Sequence, residues 1–186
     1  MDVLVISFAV ALLAAWSDKT QLVAAMLAER TQRPLLVLAG LVLALAASNI
    51  IAAIAGTWVG HLINPRAATL LTALALLFAG GSGLIMRRPP RPATVKLPLL
   101  TAFILCLASE LGDRTQFLTF ALAGRFDSAP FAAAGATAGA LAACLPAVIL
   151  GDELQRKAPL RAIRYTGAAL FLLAGFIVAV QALRLT

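Results

Sequence analysis

Six long apolar stretches, at about 3–28, 34–60, 67–86, 97–123, 129–151 and 160–183, leave this chain little choice of environment. Each is long enough to cross a hydrocarbon core that needs about 20 helical residues. The breaks between them are short: Glu29–Pro34, His61–Arg66, Arg87–Lys96, Gly124–Ala129 and Asp152–Pro159. They carry the expected punctuation in Pro34, Pro65, Pro89, Pro90, Pro92, Pro130 and Pro159. The chain is 62% hydrophobic and 12% charged, with mean hydropathy +0.97. A soluble domain carries roughly 25% charged residues, so the apolar excess here must face lipid. The expected fold is an all-α polytopic membrane protein of six transmembrane helices in one compact domain. Met1 to Ala15 is apolar but has Asp2 where a signal peptide places Lys or Arg, and the apolar character resumes after Gln21. It reads as a first span and not as a cleaved signal.

The net charge of +7 does not point to nucleic acid, because the basic residues sit between apolar stretches and aromatics make up only 6%. Topology accounts for it better. The first, third and fifth connections hold Arg30, Arg33, Arg87, Arg88, Arg91, Lys96, Arg156 and Lys157, with Arg161 and Arg164 just inside the last span. The opposite side has Arg66, Arg125 and Arg184. Ten basic residues against three set the first group in the cytoplasm. Both termini are then non-cytoplasmic, in a multi-pass protein of the bacterial inner membrane. Cys106 and Cys144 lie inside apolar stretches without CxxC spacing or a neighbouring His, and read as small buried residues.

A repeat underlies the pattern. With a shift of 95, Ser17-Asp18-Lys19-Thr20-Gln21 falls on Gly112-Asp113-Arg114-Thr115-Gln116, and Phe8 falls on Phe103. Residues 1–86 form a first three-helix unit, 87–96 a cytoplasmic linker and 97–186 a second unit. Three spans per unit is an odd number, so the second copy crosses the membrane upside down. Inverted repeats are a frequent plan of secondary transporters, whose sites form at mid-membrane where the halves meet.

Asp18, Glu110 and Asp113 lie near the middle of spans one and four. An ionised residue there costs on the order of 2.5–3.5 kcal/mol even on the lenient insertion scale, so three carboxylates demand a reason. Glu110 and Asp113 are three apart and are expected on one helix face, continued by Gln116; Asp18 and Gln21 make the matching pair. With the hydroxyls of Ser17, Thr20 and Thr115 they supply hard oxygen ligands suited to calcium, manganese or magnesium. Crowded carboxylates also share protons, and a site that loses protons when metal arrives couples the two ions. The bland alternative is charge satisfaction, with Glu110 and Arg114 spaced i to i+4 and Lys19 paired to a carboxylate of the other half. It accounts for tolerated charge, though not for glutamine and threonine in both copies.

Glu110-Leu111-Gly112-Asp113-Arg114-Thr115-Gln116 resembles the Glu-x-Gly-Asp-(Lys/Arg)-Thr signature of the Gdt-type cation transporter family, long catalogued as uncharacterised protein family 0016. The resemblance covers the whole chain, including Leu145–Gly151, which is similar to the family's span-five ending. It implies six spans with two inverted signatures, and transport of manganese or calcium in exchange for protons. In a bacterium that means manganese export. It also implies Asp18, Glu110 and Asp113 as ligands. The first signature departs from the pattern: Ala15 and Ser17 stand where the family has Glu and Gly, so Ala15 lies opposite Glu110 and one carboxylate of four is missing. Asn49, polar and mid-span in helix two, either replaces some of the lost oxygen or bonds helix to helix.

No cofactor is expected; the metal is cargo, and the partners are a divalent cation, protons and the bilayer. His61 reads as an interfacial residue without neighbouring ligands, and Trp58 as part of an aromatic belt. Asp152 and Glu153 read as a solvated cluster. Gly135 and Gly139, with Gly80, Gly81 and Gly83, suit close helix packing and are compatible with a homodimer contact. A rival reading is a small-metabolite exporter of the six-span amino-acid type, with Lys19 and Arg114 holding a carboxylate. An intramembrane enzyme would need a nucleophile and a basic cluster aimed at phosphate, for which Arg114 alone is a poor substitute, so the chain is not expected to be an enzyme.

Overall fold

A computed structural model of the chain describes residues 1–16, 18–85, 97–151 and 159–183. Ser17, the linker at 87–96, Asp152, Glu153, Arg156, Lys157 and Arg184 lie outside the described residues. Among those described, the fold is all helical: α1 (Asp2–Ala15), α2 (Lys19–Thr31), α3 (Pro34–Leu62), α4 (Pro65–Leu84), α5 (Pro98–Glu110), α6 (Arg114–Phe126), α7 (Ala129–Leu150) and α8 (Leu160–Leu183). Four of them, α3, α4, α7 and α8, are long and apolar enough to cross a membrane, and α1 with α2 makes a fifth crossing if the bent pair counts as one span. Large apolar side chains such as Ile51, Ile54, Trp58 and Phe176 stand more than half exposed, as befits a surface that meets lipid. The chain is a multi-pass membrane protein.

Spans one and four are not the continuous helices the hydropathy suggests. α1 and α2 meet at 67°. α1 stops at Ala15, and Trp16 and Asp18 are extended, at φ −69° ψ 128° and φ −89° ψ 166°. α5 stops at Glu110; Leu111 is extended, Gly112 takes φ +70°, and Asp113 is extended at φ −86° ψ 163°. The local chemistry dictates both stops. Glycine enters the left-handed region at no steric cost, and aspartate favours the residue before a helix over its interior. Hydropathy averages over such a break because the flanking residues are apolar.

The helix limits recur 95 residues apart. Ala15 and Glu110 end one pair, Lys19 and Arg114 begin the next, and Thr31 and Phe126 end it. Gln32 and Asp127 follow in the left-handed conformation, at φ 52° and φ 49°. The packing recurs too. A Cβ on Gly40 of α3 would strike the Leu99 carbonyl oxygen of α5, and one on Gly135 of α7 would strike the Leu4 carbonyl oxygen of α1. Gly139 faces Phe8 and Leu12 in the same α1–α7 interface. The glycines of α7 pack closely within the chain, as their spacing suits; so do Gly80 and Gly83, which face α8 and Arg114, whereas Gly81 faces open space.

The core is built mainly of alanine, with Leu27, Leu41, Leu45 and Val37 fully enclosed between α2, α3, α5 and α7. Small side chains let helices approach closely where no hydrophobic force drives them together. Cys106 and Cys144 are buried and unpaired within this core. α4 and α8 run antiparallel, and Arg66 at the start of α4 donates to the carbonyls of Ala182 (2.7 Å) and Leu183 (3.1 Å), satisfying the end of α8. His61 is not alone as expected: its Nε2 lies 2.6 Å from Asp127 Oδ1, an exposed contact between the end of α3 and the α6–α7 turn.

Candidate cation site

Both helix interruptions bring an aspartate to the start of the second half-helix. Asp18 and Asp113 are the N-cap residues of α2 and α6, and neither side chain caps its own helix. The carboxylates instead reach across to the opposite half. Lys19 Nζ lies 3.2 Å from Asp113 Oδ1, and Arg114 Nη2 lies 3.4 Å from Asp18 Oδ1. Each basic residue follows one aspartate and pairs with the other. The Glu110–Arg114 pair of the charge-satisfaction alternative does not form as an i to i+4 contact, because the break at Leu111–Asp113 separates the two helices. For the same reason Glu110 and Asp113 do not share a helix face.

Glu110 is set apart. It is 2% exposed and ends α5, and its Oε1 accepts a hydrogen bond from Thr20 Oγ1 of α2 at 2.7 Å. Thr20 Oγ1 also lies 2.8 Å from Ser109 Oγ, which is in turn 2.8 Å from the Cys106 carbonyl. The Glu110 Oε2 and Asp113 Oδ2 atoms are buried with no hydrogen-bond partner. Buried polar atoms are nearly always satisfied, so two bare carboxylate oxygens within three residues call for a cause. Among the described residues the opposite interruption has no bare carboxylate oxygen; its unpartnered buried atom is Trp16 Nε1. Ala15, the counterpart of Glu110, is buried among the apolar core residues, and its carbonyl accepts from Asp18 N as that of Glu110 accepts from Asp113 N.

The remaining expected residues divide into near and far. Gln21 Nε2 donates to the Ala143 carbonyl of α7 at 2.6 Å, in the turn before Pro146, where the helix ladder is loosened. Gln116 Oε1 accepts from Gly112 N at 2.8 Å and its Nε2 lies 3.3 Å from Ser48 Oγ, so this side chain staples the interruption to α3. Thr115 is buried, and its carbonyl accepts from Thr119 Oγ1. Asn49 joins three helices: Oδ1 accepts from Thr119 Oγ1 at 3.0 Å and Nδ2 lies 3.4 Å from Thr137 Oγ1. That is the helix-bridging alternative, and it turns both polar atoms of Asn49 towards threonines. Ser17 lies outside the described residues. Ser48 and Ser109 escaped the sequence reading, although each adjoins a polar residue (Asn49 and Glu110) within an apolar span.

The three carboxylates do not gather into one metal-binding group; among the described residues no set of three or more His, Cys, Asp and Glu does. The crossed ion pairs are the reason, since each aspartate is drawn towards the basic residue of the other half. A recess of about 470 Å³, walled by Ile51 and Ala55 of α3, Phe78 of α4 and Phe120 of α6, reaches Gly112, Asp113 and Gln116.

Interrupted helices meeting over buried charge, in a multi-pass protein, define a membrane transporter of ions. The profile of the family described as "Divalent cation/proton antiporter GDT1" matches residues 3–89 and 98–185, and the chain belongs to that family. The family is one of transporters, not enzymes. The chain is also 33% identical over 176 residues to a protein of Vibrio cholerae serotype O1 named "Putative manganese exporter", a match spanning 93% of this chain and 88% of the relative. No solved structure matches the chain.

Proposed function

We propose that this protein exchanges a divalent cation, manganese first and calcium second, for protons across a bacterial inner membrane, at a site centred on Glu110 and Asp113. The observation that carries the reading is the pair of buried, unpartnered carboxylate oxygens at the α5–α6 interruption. A hard divalent cation relieves both at once, and protons compete for the same oxygens, which is the basis of exchange. Asp18 stands across from them on α2, paired with Arg114, while Thr20, Thr115, Gln21, Gln116 and Ser17 supply neutral oxygens around the two carboxylates and Asn49 stands behind them. The family and the Vibrio cholerae relative's name support manganese as cargo.

The architecture that goes with this function is six spans in two inverted repeats, 1–86 and 97–186. In it α1 with α2 is span one, α5 with α6 is span four, and 87–96 is a cytoplasmic linker. Helix limits 95 residues apart, the matched Gly40–Leu99 and Gly135–Leu4 contacts and a family match to each half all support it. Irregular backbone at membrane depth is tolerated where protein buries it or it lines a cavity, as the α5–α6 interruption does along the recess at Gly112 and Asp113. The excess of Lys and Arg in the odd-numbered connections supports a topology with both termini outside the cytoplasm.

The test is manganese flux in proteoliposomes under an imposed pH gradient. Metal-driven proton movement is expected in the wild type and is lost in Asp113→Asn; exchange at the wild-type rate in that variant would remove Asp113 from the site. Ala15→Glu is the complementary probe. The new carboxylate ends α1 as Glu110 ends α5, with Thr115 in the place of Thr20, so manganese affinity is expected to rise by about tenfold as a second glutamate joins the site. Unchanged affinity in a folded variant would mean that position 15 does not face the cation.

A further inference from the structure

Lys19 and Arg114 hold equivalent places in the chain but not equivalent settings. Arg114 is 6% exposed and wedged against α4: a Cβ on Gly83 would come within 2.9 Å of its Nη1. Its permanently charged guanidinium sets Nη2 3.4 Å from Asp18 Oδ1, while its Nε is buried without a hydrogen-bond partner. Lys19 carries a compact ammonium on a flexible four-carbon stem, and its side chain is more exposed, at 13% against 7% for Arg114. The recess reaches Asp113 and not Asp18. Asp113 also keeps a bare Oδ2, and Glu110, bare at Oε2, forms no ion pair among the described residues.

We propose that Lys19 is a tethered counter-ion that competes with the transported cation for the Asp113 carboxylate, while Arg114 locks Asp18 and keeps it out of the ligand set. This rests on the exchange reading above and adds an asymmetry to it. With Lys19 on Asp113 and Glu110 ionised, the pair Glu110 and Asp113 presents one net negative charge; once the ammonium has swung away, it presents two, the match for a divalent ion. The Asp18–Arg114 pair stays neutral throughout. Returning to Asp113, the ammonium drives the cation off, so binding does not become a trap. Lys19 is in this sense a positioning residue, acting on affinity and release through Asp113.

Binding of Mn2+ to the purified full-length protein, read from the loss of the free-ion electron paramagnetic resonance signal, tests this together with exchange in proteoliposomes. Lys19→Gln is expected to bind Mn2+ at least about tenfold more tightly, as removal of a unit charge a few ångströms away requires, yet to exchange it more slowly. A purely structural role for Lys19 gives no gain in affinity. Removing both members of the other pair, Asp18→Asn with Arg114→Gln, should leave Mn2+ affinity close to wild type, whereas Asp113→Asn loses it. The proposal is overturned if folded Lys19→Gln binds no more tightly than wild type, or if the double variant loses binding as Asp113→Asn does. Should Lys19→Gln not fold, Lys19→Met keeps the stem and is read in the same way; failure of both to fold also overturns it, since a displaceable counter-ion is dispensable for folding. A folded wild type that neither binds nor exchanges Mn2+ sinks the exchange reading itself.

Discussion

Glu110→Gln is expected to stop metal exchange while leaving the protein folded. The substitution is isosteric, and glutamine Oε1 still accepts from Thr20 Oγ1 as the carboxylate does. No cation loses its partner, because Lys19 is held by Asp113 and Arg114 by Asp18. This separates the variant from Asp113→Asn, which strands Lys19; orphaning one member of a buried pair costs about 3–5 kcal/mol. What Glu110→Gln removes is the negative charge behind the unpartnered Oε2. Changes outside a metal's direct ligands already cost about 10–100-fold in affinity, so the loss of a ligand charge should exceed a hundredfold. Thermal unfolding of the purified variant, alongside manganese exchange, checks both halves of the statement. Exchange at the wild-type rate would place the cation elsewhere.

That asymmetry among the acids was only partly legible in the sequence. Hydropathy shows where apolar segments lie, and the shift of 95 shows Ala15 opposite Glu110, so the missing carboxylate was visible before any coordinates. The helix breaks were written in Gly112 and in aspartates that prefer N-caps, but a spacing of three was read as a shared face because a span was assumed continuous. Once Leu111 to Asp113 leave the helix, spacing no longer reports side-chain direction. The crossed pairs depend on how two interruptions approach one another, a long-range fact to which no local pattern is tied. Lys19 pairs with a carboxylate of the other half, as the charge-satisfaction alternative allows; Arg114, spaced i to i+4 from Glu110, crosses instead to Asp18. Asn49 illustrates the same limit. A lone amide in an apolar span is equally a ligand or a bridge until Thr119 and Thr137 are seen beside it.

Gly135→Val is expected to destabilise the fold by about 3 kcal/mol or more, with Gly40→Val matching it. Overpacking against side chains costs about 1–3 kcal/mol, because rotamers give way. Here the obstacles are the carbonyl oxygens of Leu4 and Leu99, and backbone cannot rotate aside without parting the helices. Gly135→Val would push α1 off α7, and with it the chain leading to Asp18; Gly40→Val would push α5 off α3, and with it Glu110. The control is Gly81→Ala in α4, where a Cβ meets nothing within 4 Å. There the helix should gain up to about 1 kcal/mol from the lost glycine flexibility. Thermal unfolding in detergent, with folded yield after size exclusion, measures all three. Equal losses at Gly40 and Gly135 are what two copies of one contact require. A large loss at one and none at the other would mean that the halves have diverged in packing as they have at Ala15 and Glu110.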